Sequence, residues 1–353
     1  MHRRTHAARR GRFFLILLSC GAFVGHASAH DALVSVFNRV NPAVVVIYTV
    51  ERQARPAGGG EVTAPGLGSG VLIDKNGHIA TAAHVVQTAD LVEVEFLDGS
   101  KVSAAVVSSD PSADLALLKI DAVPRGIKPV PLANSAKVAV GTEVFVVGAP
   151  YGLGHSLTVG HISGRLQNDG TGLVAPAAEL FQSDTAINQG NSGGPMFNMD
   201  GEVIGIVSYI LSKSGGFEGL GFAVTANTVR ERLLENPPFW SGMAGVMLSG
   251  AMAQALNVPQ PYGLLVQRVA LGSPAQKMGL QASKVPVTIE GQTILIGGDV
   301  LLAIGGTPIT PASRGEIQDK IQALSGQNKL IIDVLRGGQV EQIDFYGFYK
   351  TVQ

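Results

Sequence analysis

The run Gly70-Val71-Leu72-Ile73-Asp74-Lys75-Asn76-Gly77-His78-Ile79-Ala80-Thr81-Ala82-Ala83-His84 holds two short β-branched segments, joined through an Asn-Gly pair and ending on a histidine. Asn-Gly tolerates positive φ at the centre of a tight turn, so the run reads as an antiparallel hairpin. The same grammar continues on both sides. Val44 to Val50, Val92 to Phe96, Val102 to Val107 and Leu115 to Ile120 are further short apolar runs, with Asp98-Gly99 as another turn. Regularly spaced short strands of this kind suit a barrel.

After Pro129 to Asn134 a second series begins: Val144 to Gly148, Leu157 to Leu166, Leu180 to Ser183, Pro195 to Met199, Val203 to Tyr209 and Leu220 to Val224, with Asp200-Gly201 as a hairpin turn. Thr225 is placed to cap a helix through Val229, Leu233 and Leu234, which Pro237-Pro238 stops. Beyond Trp240 the pattern changes to a small α+β unit. Its strands are Leu264 to Val269, Val300 to Ile304 and Leu330 to Leu335, its helices Pro274 to Gly279 and Arg314 to Leu324, and its last turn Gly337-Gly338.

The 353 residues are 46% hydrophobic and only 15% charged, which excludes a disordered chain and allows two domains or a little more. Met1 to Ala29 reads as a removable export signal: Arg3, Arg4, Arg9, Arg10 and Arg12, then the apolar run Phe13 to Val24, then Ala27-Ser28-Ala29. Leu17-Leu18-Ser19-Cys20 resembles a lipobox and Arg9-Arg10 a twin-arginine signal, so lipid attachment at Cys20 stays open as an alternative. Export places the chain in the periplasm, with the membrane as a partner only if Cys20 is lipidated. Without the five leader arginines, 21 basic residues face 27 acidic ones, about −6 in all, with no basic cluster for nucleic acid. Cys20 is the single cysteine, and after the leader no His-x-x-x-His spacing occurs, so neither a disulfide nor a metal or other cofactor is expected.

Peptide-bond hydrolysis needs a nucleophile, a base, a group to orient the base, and donors for the oxyanion. Gly190-Asn191-Ser192-Gly193-Gly194-Pro195 sets a hydroxyl among glycines on a tight bend. There the N–H groups of Gly190 and Ser192, with Asn191 between them, can converge on one oxygen. His84 ends a strand among small apolar residues and is the candidate base; taken alone, such a histidine is as readily structural. Asp114 leads the apolar strand Asp114 to Ile120, where a carboxylate needs a partner such as His84 Nδ1–H, and the ordinary alternative is a turn aspartate, as for Asp110 before Pro111. Gly66-Leu67-Gly68-Ser69-Gly70 lacks the following helix of a nucleotide site and reads as a strand with a close backbone neighbour.

Thr81 to Val86, Asp114 to Ile120 and Asp184 to Pro195, in this order, resemble the HtrA/DegP family of trypsin-like serine proteases, and Gly219 to Val224 extends the likeness. The resemblance implies two six-stranded antiparallel barrels (about 42–125 and 135–225, within a protease domain 30–236), followed by one PDZ-like domain over 240–350. It implies His84, Asp114 and Ser192 as a triad acting on unfolded or damaged polypeptides, and homotrimers by analogy. Ala186 stands six positions before the nucleophile, so with Ile187, Val207 and Gly221 the specificity pocket is expected to favour small or medium apolar residues. Asn191 replaces the aspartate that would pair with a newly cut N-terminus, and Arg52 to Ala64 resembles a shortened regulatory loop. Tyr262, Gly263, Leu264 and Leu265 resemble a carboxylate-binding loop and the strand that receives a peptide. Gln281 to Ile296 is longer than the family's usual connection and suggests an extra hairpin. The rival reading on the same fold is a chaperone or peptide sensor that holds clients without cutting them, and the C-terminal unit has the plainer alternative of merely packing against its neighbour.

Overall fold

The computed structural model describes residues 29–54, 61–167, 178–212, 214–289, 292–324 and 328–346. The leader with Cys20, and the middle of the segment Arg52 to Ala64, lie outside the described residues.

The first series folds into one antiparallel sheet of seven strands, in the order Lys101–Ser103, Leu91–Phe96, Val44–Ala54, Glu61–Leu72, His78–Thr81, Leu115–Lys119, Ala105–Asp110. This corrects the expectation of a closed six-stranded barrel. Lys101–Ser103 and Ala105–Asp110 are separated by Ala104 alone, whose N–H donates to Val92. One strand thus bends through Ala104 to join both ends of the curled sheet, and among the described residues no ladder closes it. Strand Leu91–Phe96 alternates outward Leu91, Glu93 and Glu95 with buried Val92, Val94 and Phe96, as a one-sided sheet requires.

The second series does close. Its six strands run in the order Leu180–Ser183, Gly221–Thr225, Val203–Ile210, Pro195–Asn198, Glu143–Gly148, Ser156–Leu166, and the last pairs again with the first. Phe145 and Phe197 stack at 5.1 Å in a hydrophobic cluster that continues into Ile47, Val71 and Leu118 of the first sheet, whereas Val144, Val146 and Met196 belong to a separate cluster of the barrel. The two halves therefore share a core, and the catalytic candidates come from loops on either side of it.

Thr225 precedes a short helix, Ala226–Val229, that widens into a π-helical turn over Arg230–Glu235. The Thr225 hydroxyl meets Thr228 and Glu179 and caps no backbone N–H. A helix over Ala29–Val40 was not among the expected elements; Val36 and Val40 bury on the Asp200-Gly201 turn, where Arg39 Nη2 donates to the Asp200 carbonyl at 2.5 Å.

The C-terminal unit is built on a sheet ordered Met243–Ser249, Tyr262–Val269, Val300–Ile304, Lys329–Arg336, Gln339–Tyr346, with helices Gly250–Ala255, Pro274–Lys277 and Arg314–Ala323. The departure at 281–296 is a separate hairpin, Val285–Ile289 with Gln292–Ile296. Tyr262 to Leu265 cannot receive a peptide strand as expected. Tyr262 pairs with Ser249, while Leu264 and Leu265 pair with Leu301 and Val300 on the other side, so this strand is interior, and strand addition needs a free edge. The end strand of the sheet is Met243–Ser249.

Candidate active site

Ser192 is held by its neighbours on a bend that only glycine permits. Gly190 has φ +101°, and a Cβ there would lie 2.1 Å from the Ala149 carbonyl oxygen; Gly193 has φ +81°, and a Cβ there would lie 2.2 Å from Thr81 Oγ1 and 2.3 Å from Ser69 O. The bend is thus pressed against the first sheet. Ser69 fastens it: its N–H donates to Ser192 O at 2.9 Å and its hydroxyl to Gly190 O at 2.7 Å, while Thr81 Oγ1 donates to Ser69 O at 2.7 Å. A Cβ on Gly68 or Gly70 would meet the Val85 or Ile79 side chain, with the backbone oxygens of Ser192 and Ala80 at 3.3 and 3.2 Å, which agrees with the strand reading of that glycine run.

His84 lies on the single turn Ala83–Val86, immediately after strand His78–Thr81. Asp114 precedes strand Leu115–Lys119 with φ +53°, a conformation that aspartate adopts more readily than most residues. Its Oδ1 accepts the His84 backbone N–H at 3.1 Å and stands 2.9 Å from Nδ1, with Oδ2 at 3.0 Å. A carboxylate only accepts, so Nδ1 carries the proton and, in the neutral ring, Nε2 is left with a lone pair. The imidazole is half exposed and Asp114 mostly covered.

Ser208 links the two sides. The ladder between strands Val203–Ile210 and Gly221–Thr225 skips from Val207↔Ala223 to Tyr209↔Phe222, leaving Ser208 as a bulge. A bulge re-aims the residue it frees. The Ser208 hydroxyl donates to Asp114 Oδ2, and its carbonyl accepts from Ser192 Oγ at 3.4 Å. Among the described residues no hydrogen bond joins Ser192 to His84. Ser208 was missed by sequence reasoning, although it is the one serine in the apolar run Val203 to Ile210.

Of the three residues expected at the oxyanion, Asn191 spends its N–H on Asn188 O at 3.0 Å. Gly190 and Ser192 N–H donate to no other group among the described residues. At the expected specificity pocket, Ile187 and Val207 are buried in one cluster, and the Ile187 side chain covers Gly221, where a Cβ would meet its Cδ1 at 2.6 Å. Ala186 is half-buried, and its carbonyl accepts from Thr158 Oγ1. Asp184 accepts the His161 N–H at 2.5 Å, a structural role. Beside His84 opens a cavity of about 280 Å³, bounded by Leu67, Val85, Gln189, Glu51 and, from the C-terminal unit, Arg268.

Residues 68–206 match the family model of a trypsin-like peptidase domain. A probable periplasmic serine endoprotease DegP-like from Pseudomonas fulva (strain 12-X) is 36% identical over 278 residues, 76% of this chain and 57% of its own length. Protease Do-like 1, chloroplastic, from Arabidopsis thaliana is 34% identical over 318 residues, covering 88% of this chain and 70% of its own. Among solved structures, an HtrA-type protease AlgW with decapeptide is 29% identical with a TM-score of 0.50, covering 88% of this chain and 96% of that one. The same protease with tripeptide is 30% identical, with a TM-score of 0.50 and coverage of 89% and 95%. The chain spans a little over half the length of the first bacterial curated relatives it matches.

Proposed function

This chain belongs to the HtrA/DegP family of trypsin-like serine proteases, and from that premise we propose that it is an exported serine endopeptidase that cuts unfolded or damaged polypeptides in the periplasm. His84 Nε2 takes the proton of Ser192 Oγ, which attacks the substrate carbonyl. Asp114 holds the imidazole in the tautomer that leaves Nε2 basic, and stabilises the imidazolium that forms. Gly190 and Ser192 N–H receive the oxyanion. His84 then gives its proton to the leaving amine, and water releases the acyl group from Ser192. The reading rests above all on the pairing of His84 Nδ1 with the Asp114 carboxylate, set beside a hydroxyl flanked by two uncommitted N–H donors.

The C-terminal unit is proposed to be a PDZ-like domain that recruits extended or C-terminal peptides, its end strand Met243–Ser249 offering the edge that Tyr262–Val269 lacks. Assembly into trimers is proposed by analogy with the family. Digestion of casein tests the activity: the wild-type chain releases acid-soluble peptides, and Ser192→Ala abolishes the release. One observation favours a second reading, a binding protein that holds clients uncut. The Ser192 hydroxyl donates to the Ser208 carbonyl, and among the described residues no hydrogen bond joins it to His84. No release above background by either wild type or Ser192→Ala leaves only that reading.

A further inference from the structure

The cavity beside His84 shares two of its walls, Gln53 and Arg268, with a second cavity of about 160 Å³ bounded by Gln267, Lys284 and Leu295. One groove therefore runs from the imidazole to the base of hairpin 285–296. Its far half belongs to the C-terminal unit, since Arg268 lies on strand Tyr262–Val269 and Lys284 enters the hairpin that departs from the family pattern.

Neither cavity is lined by Ile187, Val207 or Gly221, the residues of the expected specificity pocket. In the proposed reaction the histidine protonates the departing amine, so the cavity beside it takes the part of the substrate that follows the scissile bond. Its charges are uneven: Arg52, Arg268 and Lys284 stand against Glu51 alone. Glu51 is already committed, accepting from Thr88, from Gln53 Nε2 at 3.2 Å and from Arg268 Nη1 at 2.6 Å. Asp90 behind the groove takes Arg52 Nε at 3.2 Å. Among the described residues the Lys284 ammonium pairs with no carboxylate, and Arg268 uses one of its nitrogens only, leaving donors that match an incoming carboxylate.

We propose that Arg268 and Lys284 form a substrate subsite on the leaving-group side of the cleft, and that it favours polypeptides with acidic side chains shortly after the scissile bond. This rests on the endopeptidase reading.

The casein bond cut fastest, identified by mass spectrometry, supplies a parent peptide, remade with Asp-Asp, Ser-Ser or Lys-Lys at the third and fourth positions after the cut. The wild-type chain is expected to give a kcat/KM about fivefold higher for Asp-Asp than for Lys-Lys, the scale of exposed ion pairs, with the ratio shrinking toward one in molar salt. Lys284→Glu and Arg268→Gln each bring the ratio below about twofold. Lys128→Glu, the same charge change on an exposed loop elsewhere, keeps the wild-type ratio. Lys284 is exposed, so its variant serves even if Arg268→Gln loosens the contact with Glu51. A ratio near one in the wild type, or one that Lys284→Glu leaves unchanged, overturns the subsite while leaving the protease. Absence of any casein cleavage that Ser192→Ala abolishes removes the endopeptidase reading and this proposal with it.

Discussion

The Ser208 hydroxyl reaches Asp114 while the carbonyl of the same residue receives Ser192 Oγ, so one bulged serine touches both the proposed orienting acid and the proposed nucleophile. A hydrogen bond to a charged acceptor contributes about 1.5–3 kcal/mol. Ser208→Ala keeps the carbonyl and loses the donor, and kcat/KM is expected to fall about ten- to hundredfold with Tm little changed. An unaltered kcat/KM would remove Ser208 from the account. The next residue shows the reverse situation. Tyr209 stacks on Phe222 at 4.8 Å, but its buried hydroxyl has no partner among the described residues, and burial pushes its pKa up to about 12, so it stays protonated. Tyr209→Phe keeps the ring and removes an unsatisfied polar group. Its urea midpoint is expected to equal or exceed that of the wild type, whereas a fall beyond about 1 kcal/mol would reveal a partner for the hydroxyl. At this scale the pairing of His84 with Asp114 was legible in the sequence, because each stands at a strand boundary where its chemistry needs a partner. Ser208 was not, since its direction depends on a register shift between two strands.

Among the elements, the bend carrying Ser192 is fixed by steric exclusion. Gly193→Ala puts a Cβ against Thr81 Oγ1 and Ser69 O at positive φ, and is expected to cost about 2 kcal/mol or more and to abolish casein cleavage. Gly216→Ala has no neighbour nearer than 3.9 Å and no positive φ, so its unfolding midpoint should stay within about 0.5 kcal/mol of the wild type. Equal losses in the two variants would contradict the steric argument. The turns at Gly77, Gly99 and Gly201, all at positive φ, were legible because Asn-Gly and Asp-Gly carry their conformation in their own chemistry. The open first sheet was not legible. Its ends meet through a bend at Ala104, an unremarkable residue whose role is set by its neighbours in space. Leu33, Val36, Phe37 and Val40 have the spacing of a helical face, yet the helix they form abuts the leader and falls before the strand pattern begins.

Across the whole molecule, the C-terminal unit is fastened by polar contacts. Asp110, almost fully buried, faces Arg232 at 3.6 Å and Arg314 at 3.2 Å; Trp240 Nε1 donates to Gln87 O at 3.0 Å and Leu271 N–H to Asp90 at 2.6 Å. Removing Asp110 strands two guanidinium groups that remain partly hydrated, so Asp110→Ala should cost about 1–3 kcal/mol and speed proteolysis between Asn236 and Gly242. An unchanged Tm and an unchanged cleavage pattern would show that the apolar contacts hold the unit alone. The groove from His84 to Lys284 depends on this docking, which no local signal in the sequence announces. The central claim concerns chemistry at the junction of the two halves, and an active-site fluorophosphonate tests it most directly. Mapping the labelled chain by mass spectrometry should place a single adduct on Ser192, absent in Ser192→Ala and strongly slowed in His84→Ala. An adduct on another residue, or undiminished labelling of Ser192→Ala, would contradict the account.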